Sequence, residues 1–154
     1  MTKDDFKKLC WSIFKEYGFR KQKKYFYFEG NSNIECYIDL QKTDYGDAFY
    51  INCSFGVKNY FAGSGYAVNN IVCFNRIQVM SIRMHNDAGD CIRTQMIFYE
   101  DYTDEQLSSY IKLALDEWVM PPLVKGGVYI VGHEEKYIFL NNNTSYVHGV
   151  LLGN

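Results

Sequence analysis

Two segments near the start of the chain alternate strictly between apolar and polar residues, and this alternation constrains the fold more than any other feature. The apolar phase of the two segments consists of Ile34, Cys36, Ile38, Leu40, Phe49, Ile51, Cys53, Phe55 and Val57. Successive side chains of a strand point to opposite faces, so the alternation predicts two strands, each with one apolar face. The short turn-forming segment 43–47 between them predicts an antiparallel hairpin.

The two faces of this hairpin have different expected roles. The hydrophobic core is expected to contain Ile38, Leu40, Ile51 and Phe55. The opposite, polar phase supplies the candidate partner-binding residues, which are Glu35, Tyr37, Asp39, Gln41, Tyr50 and Asn52. Buried tyrosines dominate the binding energy of many protein interfaces, so Tyr37 and Tyr50 are expected to contribute most of the affinity and little to the core.

Two helices are predicted, one near each end of the strand-rich region. Apolar residues recur at three- and four-residue spacing after Thr2 and again after Thr103. Asp5 and Gln106 stand where each helix start needs the second residue of a capping box. Pro121-Pro122 should end the second helix, because proline cannot continue the backbone ladder.

The remaining patterns complete the predicted fold. Further strands are expected at 24–29, 72–84 and 92–98, and residues 62–65 are expected to form a loop. Short strands also suit the tail at 128–131, 137–140 and 146–152, although the spacing of Tyr129, His133 and Tyr137 fits a helix as well. These elements predict one α+β domain over residues 1–154, an antiparallel sheet of about five to seven strands with two main helices packed on one face.

Composition and charge are those of an ordinary globular protein. A net charge of −2 and a pI near 5.9 exclude a basic protein held on nucleic acid by its overall charge. The five cysteines have no metal-ligand spacing, and the N-terminus has no apolar secretory segment. No apolar run approaches the roughly 18 residues of a membrane span. We therefore expect a soluble, cytoplasmic protein with reduced cysteines and no membrane partner.

No motif in the sequence identifies a reaction. His85, His133 and His148 have no second histidine or cysteine at zinc-ligand spacing. The candidates for acid–base catalysis are the carboxylates of the polar phase and the turn, which are Glu35, Asp39, Asp44 and Asp47. Carboxylates at such positions commonly contact only solvent. We therefore expect no catalytic residue, no cofactor and no metal.

One basic segment, Arg20–Lys24, directly precedes the aromatic residues Tyr25 and Tyr27. Basic residues beside aromatic rings can hold a phosphate backbone and stack bases, so RNA binding is an alternative function. Charged segments between elements usually form solvated connections, which makes nucleic acid a less favoured partner than protein.

Several motifs in the first third of the chain are those of a known family. The N-terminal helix ends in Tyr17-Gly-Phe-Arg-Lys21, and the hairpin contains Ile38-Asp-Leu-Gln-Lys42, Phe49-Tyr-Ile-Asn52 and Phe55-Gly-Val57. In these residues the chain resembles the bacterial domain-of-unknown-function family DUF4304. The resemblance implies a bacterial α+β protein with no catalytic residue to carry over. It also implies a possible relation to immunity proteins, because some relatives look like proteins that neutralise secreted toxins.

The sequence therefore favours a small protein-binding domain, and its specific form is an immunity protein that neutralises a cognate toxin. A mildly acidic polar face would attract a basic toxin through electrostatic steering. The alternatives are a hydrolase-like enzyme that uses the polar-face carboxylates, and an RNA-binding module.

Overall fold

The computed structural model describes residues 1–60 and 70–153 as an α+β fold built on an antiparallel sheet. The helices are α1 (Lys3–Glu16), α2 (Asp104–Trp118), α3 (Met120–Lys125), α4 (Gly127–Gly132) and α5 (Thr144–Leu152). The strands are β1 (Arg20–Gln22), β2 (Tyr25–Glu29), β3 (Ile34–Lys42), β4 (Ala48–Val57), β5 (Ile71–Arg76), β6 (Val79–His85), β7 (Cys91–Thr94), β8 (Ile97–Phe98) and β9 (Ile138–Phe139). The loop predicted at 62–65 lies outside the described residues.

The sheet contains seven strands in the order β1-β2-β3-β4-β5-β9, with β8 paired to the start of β4. The predicted hairpin is confirmed, since β3 and β4 pair along their length with Ile38 opposite Cys53 and Leu40 opposite Ile51. The segment expected as one strand at 72–84 is divided into β5, which joins the main sheet, and β6, which pairs with β7 in a separate ribbon.

The core lies between the apolar face of this sheet and α1. Thr2 and Asp5 form the predicted capping box, which satisfies backbone amides at the start of α1. Phe6 of α1 stacks on Phe49 of β4 with ring centroids 5.1 Å apart, and Phe14 meets Phe26 of β2 edge-on at 5.2 Å. These ring contacts set where α1 lies on the sheet.

The second main helix packs beside the first. The Tyr17 hydroxyl at the end of α1 donates a hydrogen bond to Asp116 of α2 over 2.9 Å, and Lys112 pairs with Glu16 at 3.1 Å. The two prolines follow the end of α2, as predicted, and they also occupy the first positions of α3. Proline is well tolerated at a helix start, because the amide that it lacks would have no partner there.

The C-terminal tail is more helical than the alternation predicts. Residues 128–131 lie in α4 and 146–152 lie in α5, so two of the three predicted tail strands are wrong. A short apolar run fits a buried helix as well as a strand, and packing decides between them. Here Gly127 allows α4 to approach α5, because a Cβ atom at this position would lie 1.9 Å from the Leu151 carbonyl oxygen.

The core prediction is confirmed for Ile38, Ile51 and Phe55, which are fully buried, while Leu40 is only half-buried. An Ile51→Asp change should lower the free energy of unfolding by roughly 3–5 kcal/mol, because it buries a charge without a partner. Val128→Asp, which changes an apolar residue that is 62% exposed on α4, is the control and should change stability by less than about 0.5 kcal/mol. Chemical denaturation measures both. Equal stability of the two variants would place Ile51 outside the core.

Four cysteines, Cys10, Cys36, Cys53 and Cys73, are buried, and only Cys91 is exposed. Burial raises the pKa of the Cys73 thiol to about 12 and also raises the pKa of Cys36, which keeps both thiols protonated and unreactive. A thiol reagent should therefore label one cysteine in the native protein and five after denaturation. Cys91→Ser should abolish the native labelling. Rapid labelling of the native Cys91→Ser variant would show that at least one of the other four cysteines is accessible, contrary to their burial.

Candidate functional site

The candidate site is the sheet face opposite α1, here called the polar face, which carries the six residues predicted to bind a partner. Gln41 is exposed, and Asp39, Tyr50 and Asn52 are half-buried. Glu35 and Tyr37 are buried, with only 7% and 9% of their surfaces exposed. The expectation that Tyr37 contributes little to the packed interior is therefore wrong. The accessible part of the predicted site lies around Tyr50.

A hydrogen-bonded network crosses three strands of the polar face. The Asn52 side-chain amide on β4 donates to Asp39 over 3.1 Å and to Gln41 over 2.9 Å, both on β3. Arg76 on β5 donates from Nε to the Asn52 oxygen over 2.9 Å and from Nη2 to Gln41 over 3.1 Å. This network, here called the amide ladder, restricts the rotamers of four polar side chains.

Arg76 also contacts the tyrosine that the sequence singled out. Its guanidinium lies over the Tyr50 ring, 3.9 Å from the centroid, which is a close cation–π contact. Sequence reasoning did not identify Arg76, because its role depends on the register that places it opposite Asn52. The alternation of β5 alone would place Arg76 on the polar face, but it would not show that Asn52 is the residue opposite.

A concavity of about 320 Å³ opens beside Tyr50. Its other lining residues come from the β5–β6 connection and from the segment around β7, and they are Gln78, Arg93, Thr94, Gln95 and Met96. Arg93 is held by Glu117 of α2 at 2.6 Å. The lining is therefore mostly polar, and its one guanidinium already has a partner.

A second group of residues, here called the tyrosine–glutamate cluster, occupies the β1–β3 side of the polar face. It consists of Tyr25, Tyr27, Glu29, Glu35 and Tyr37. The Tyr27 hydroxyl lies 2.6 Å from Glu35 and 3.0 Å from Glu29, which are directly opposite each other on β2 and β3. The Tyr37 ring lies 5.2 Å from Tyr25 and 5.1 Å from Tyr27.

The surroundings of Tyr27 and Tyr37 keep the hydroxyls of these two residues neutral. Burial raises the pKa of Tyr27, and its hydrogen bonds to Glu35 and Glu29 raise it further. Burial also raises the pKa of Tyr37, with the charge of Glu35 as the next cause. The hydroxyls act as hydrogen-bond donors that hold two neighbouring carboxylates, whose mutual repulsion would otherwise destabilise this cross-strand pair.

The carboxylates considered for catalysis do not converge. Glu35 belongs to the tyrosine–glutamate cluster, and Asp39 belongs to the amide ladder. Asp44 and Asp47 lie in the turn between β3 and β4, where Asp47 is 3.7 Å from Lys42. Acid–base chemistry needs two groups within reach of one substrate, and these four residues are distributed over different parts of the hairpin.

The histidines are also separated. His133 stacks on Tyr129 with ring centroids 3.9 Å apart, whereas His85 is exposed opposite Cys91 in the β6–β7 ribbon. His148 pairs with Glu134 at the edge of a concavity of about 290 Å³. Within residues 1–60 and 70–153, there is no group of three His, Cys, Asp or Glu side chains that could hold a metal ion.

The basic segment forms the β1 edge of the sheet and the turn that follows it. The Lys21 ammonium lies 4.2 Å from the Trp11 ring centroid and 5.0 Å from that of Phe26, and Arg20 lies 5.9 Å from that of Tyr27. Arg20 and Lys21 of the basic segment therefore have aromatic partners within the fold.

Comparison with known proteins identifies the family. Residues 12–123 match the family described as Domain of unknown function (DUF4304). The chain belongs to this family. No curated protein and no solved structure gave a significant match. Among the described residues of this DUF4304 member, no helix is long and apolar enough to cross a membrane.

The tyrosine–glutamate cluster should make stability fall at alkaline pH. An unfolded tyrosine loses its proton at about pH 10. The folded-state pKa of Tyr27 is higher, so its contribution is complete below that pH and is lost as pH rises further. Tyr27→Phe should reduce the slope of unfolding free energy against pH above ~10 by up to one proton. Tyr45→Phe, at a position 78% exposed, is the control. An unchanged slope in Tyr27→Phe would contradict this role.

Proposed function

We propose that this DUF4304 member is a protein-binding domain whose polar face holds the partner, and that it acts as an immunity protein against a secreted toxin. The observation that carries the binding role is the Tyr50–Arg76 stack, which stands on the amide ladder beside the 320 Å³ concavity. Tyrosine and arginine, with tryptophan, are the residue types enriched at binding hot spots. The immunity role rests on the family resemblance and makes the toxin the expected partner.

The amide ladder supports binding because it orders the surface in advance. Side chains that lose rotamer freedom on association reduce affinity, typically by about 0.5–1.5 kcal/mol each. Arg76 and Asn52 are already held by two or more hydrogen bonds or ring contacts, so this loss is largely avoided. A rigid surface of this kind suits a tight and specific complex.

The charges of the polar face indicate the chemistry of the partner. Glu29, Glu35 and Asp39 are acidic, whereas Arg76 is the basic member of the amide ladder. Arg20, whose guanidinium lies over the Tyr27 ring, adds a second cation to this face, so the acidic balance comes from the whole chain, which has a net charge of −2. A basic toxin surface would complement this balance and gain association rate from electrostatic steering.

Tyr50→Ala combined with Arg76→Ala should abolish protection when the protein is co-expressed with a cognate toxin. The hot-spot stack is lost, and such truncations commonly weaken binding by about 2 kcal/mol or more, which is roughly 30-fold. The matched control is Tyr45→Ala, which removes an exposed tyrosine from the β3–β4 turn. This control should protect fully.

Purified proteins separate binding from folding in this experiment. Calorimetry gives the affinity of each variant for the toxin, and a melting curve confirms that each variant folds. A folded double variant with wild-type affinity would remove the polar face from the proposal. Wild-type chain that binds no toxin would reject the immunity role itself.

A further inference from the structure

Two buried residues with polar groups, Asn75 and Tyr137, lie on the core side of the sheet, away from the polar face. Strand β9 pairs with β5 so that Phe139 is opposite Cys73 and Ile138 is opposite Phe74. The register continues before this pair, since the Leu140 amide donates to the Val72 carbonyl over 3.1 Å. One step in the other direction places Tyr137, whose backbone is extended, opposite Asn75.

Both side chains of this pair lie on the core side of the sheet. Asn75 is opposite the buried Cys53, and the Tyr137 ring meets Phe55 edge-on with centroids 5.4 Å apart. Asn75 is 4% exposed and Tyr137 is 6% exposed. Directly opposite residues of an antiparallel pair have Cβ atoms about 5 Å apart, so the continued register puts the Asn75 and Tyr137 side chains at neighbouring positions of the core face.

The polar atoms of this pair have no hydrogen-bond partner among the residues that the structure describes. These atoms are Nδ2 and Oδ1 of Asn75 and the hydroxyl oxygen of Tyr137. Leaving buried polar groups unpaired destabilises a protein, and native folds rarely do so without an ion, a water molecule or a functional reason. Three unpaired atoms on facing side chains indicate a shared ligand.

The surroundings indicate that this ligand is neutral. Burial raises the pKa of Tyr137, which keeps its hydroxyl protonated. The neighbouring Cys73 thiol, with a pKa raised to about 12 by burial, is also uncharged at neutral pH. An ion would therefore meet no opposite charge from these groups. Asn75 offers one donor group and one acceptor, and the Tyr137 hydroxyl offers both functions.

We infer that Asn75 and Tyr137 form a buried site for ordered water, which bridges the amide and the hydroxyl between β5 and the segment before β9. Water both donates and accepts, and buried waters typically make about three hydrogen bonds to groups of this kind. Asn75 lies within residues 12–123, which match the family, and Tyr137 lies beyond them. The water site therefore links the C-terminal segment to the sheet of the family fold.

A high-resolution crystal structure of the wild-type protein tests this site directly. The expected result is an ordered water peak within hydrogen-bond distance of both the Asn75 amide and the Tyr137 hydroxyl. An empty interior, or a direct hydrogen bond between the two side chains, would overturn the inference. This result is independent of the proposed partner binding, because the site lies on the other side of the sheet.

A double-mutant cycle supplies the second test. Asn75→Leu and Tyr137→Phe should each lower the melting temperature, because each leaves the water short of a partner. The double variant should lose less than the sum of the two single losses, since the shared ligand is then absent altogether. Tyr45→Phe is the matched control and should melt like the wild type. Single variants that melt at or above the wild-type temperature would show that no ligand satisfies these atoms.

Discussion

The nine-residue pairing of β3 with β4 is the constraint on which the other features depend. It places Ile38 and Ile51 under the helical side and leaves Asp39 and Asn52 on the opposite side. A slip of one residue would exchange the two faces, so core and polar face are fixed by the same register. The ring contacts of α1 on one face and the amide ladder on the other therefore both depend on the β3–β4 register.

The polar face divides into two parts with different physical character. In the tyrosine–glutamate cluster, buried hydroxyls hold two carboxylates, and the contacts of Tyr27 are made within the fold. Around Tyr50 and the amide ladder, polar groups are ordered but still reach solvent. The first part stabilises the edge of the sheet, while the second presents a rigid surface next to a concavity. This division is why the proposed contact centres on Tyr50 and Arg76 rather than on Tyr37.

The sequence predicts the elements that depend on interactions between nearby residues better than those that depend on contacts between distant segments. Local patterns were sufficient for α1, α2 and the hairpin, because the capping boxes and the alternation act within a few residues. The strand prediction for the C-terminal tail failed because α4 and α5 are stabilised by packing against each other at Gly127. A local sequence pattern does not show this contact. Arg76 was missed and Tyr37 was misjudged for a similar reason. Their environments depend on which strands become neighbours, and alternation assigns a face without naming the neighbour.

The proposed binding role places the partner at Tyr50 and the amide ladder on the polar face. Hydroxyl-radical footprinting of the protein, free and bound to a cognate toxin, would locate the contact directly. Modification of Tyr50 and Met96, which line the same concavity, should fall strongly in the complex. Modification of Tyr45 and of Trp11, which is exposed on α1, should stay the same. Unchanged modification of Tyr50 together with protection of Trp11 would place the partner on the helical side and reject the polar face as the contact.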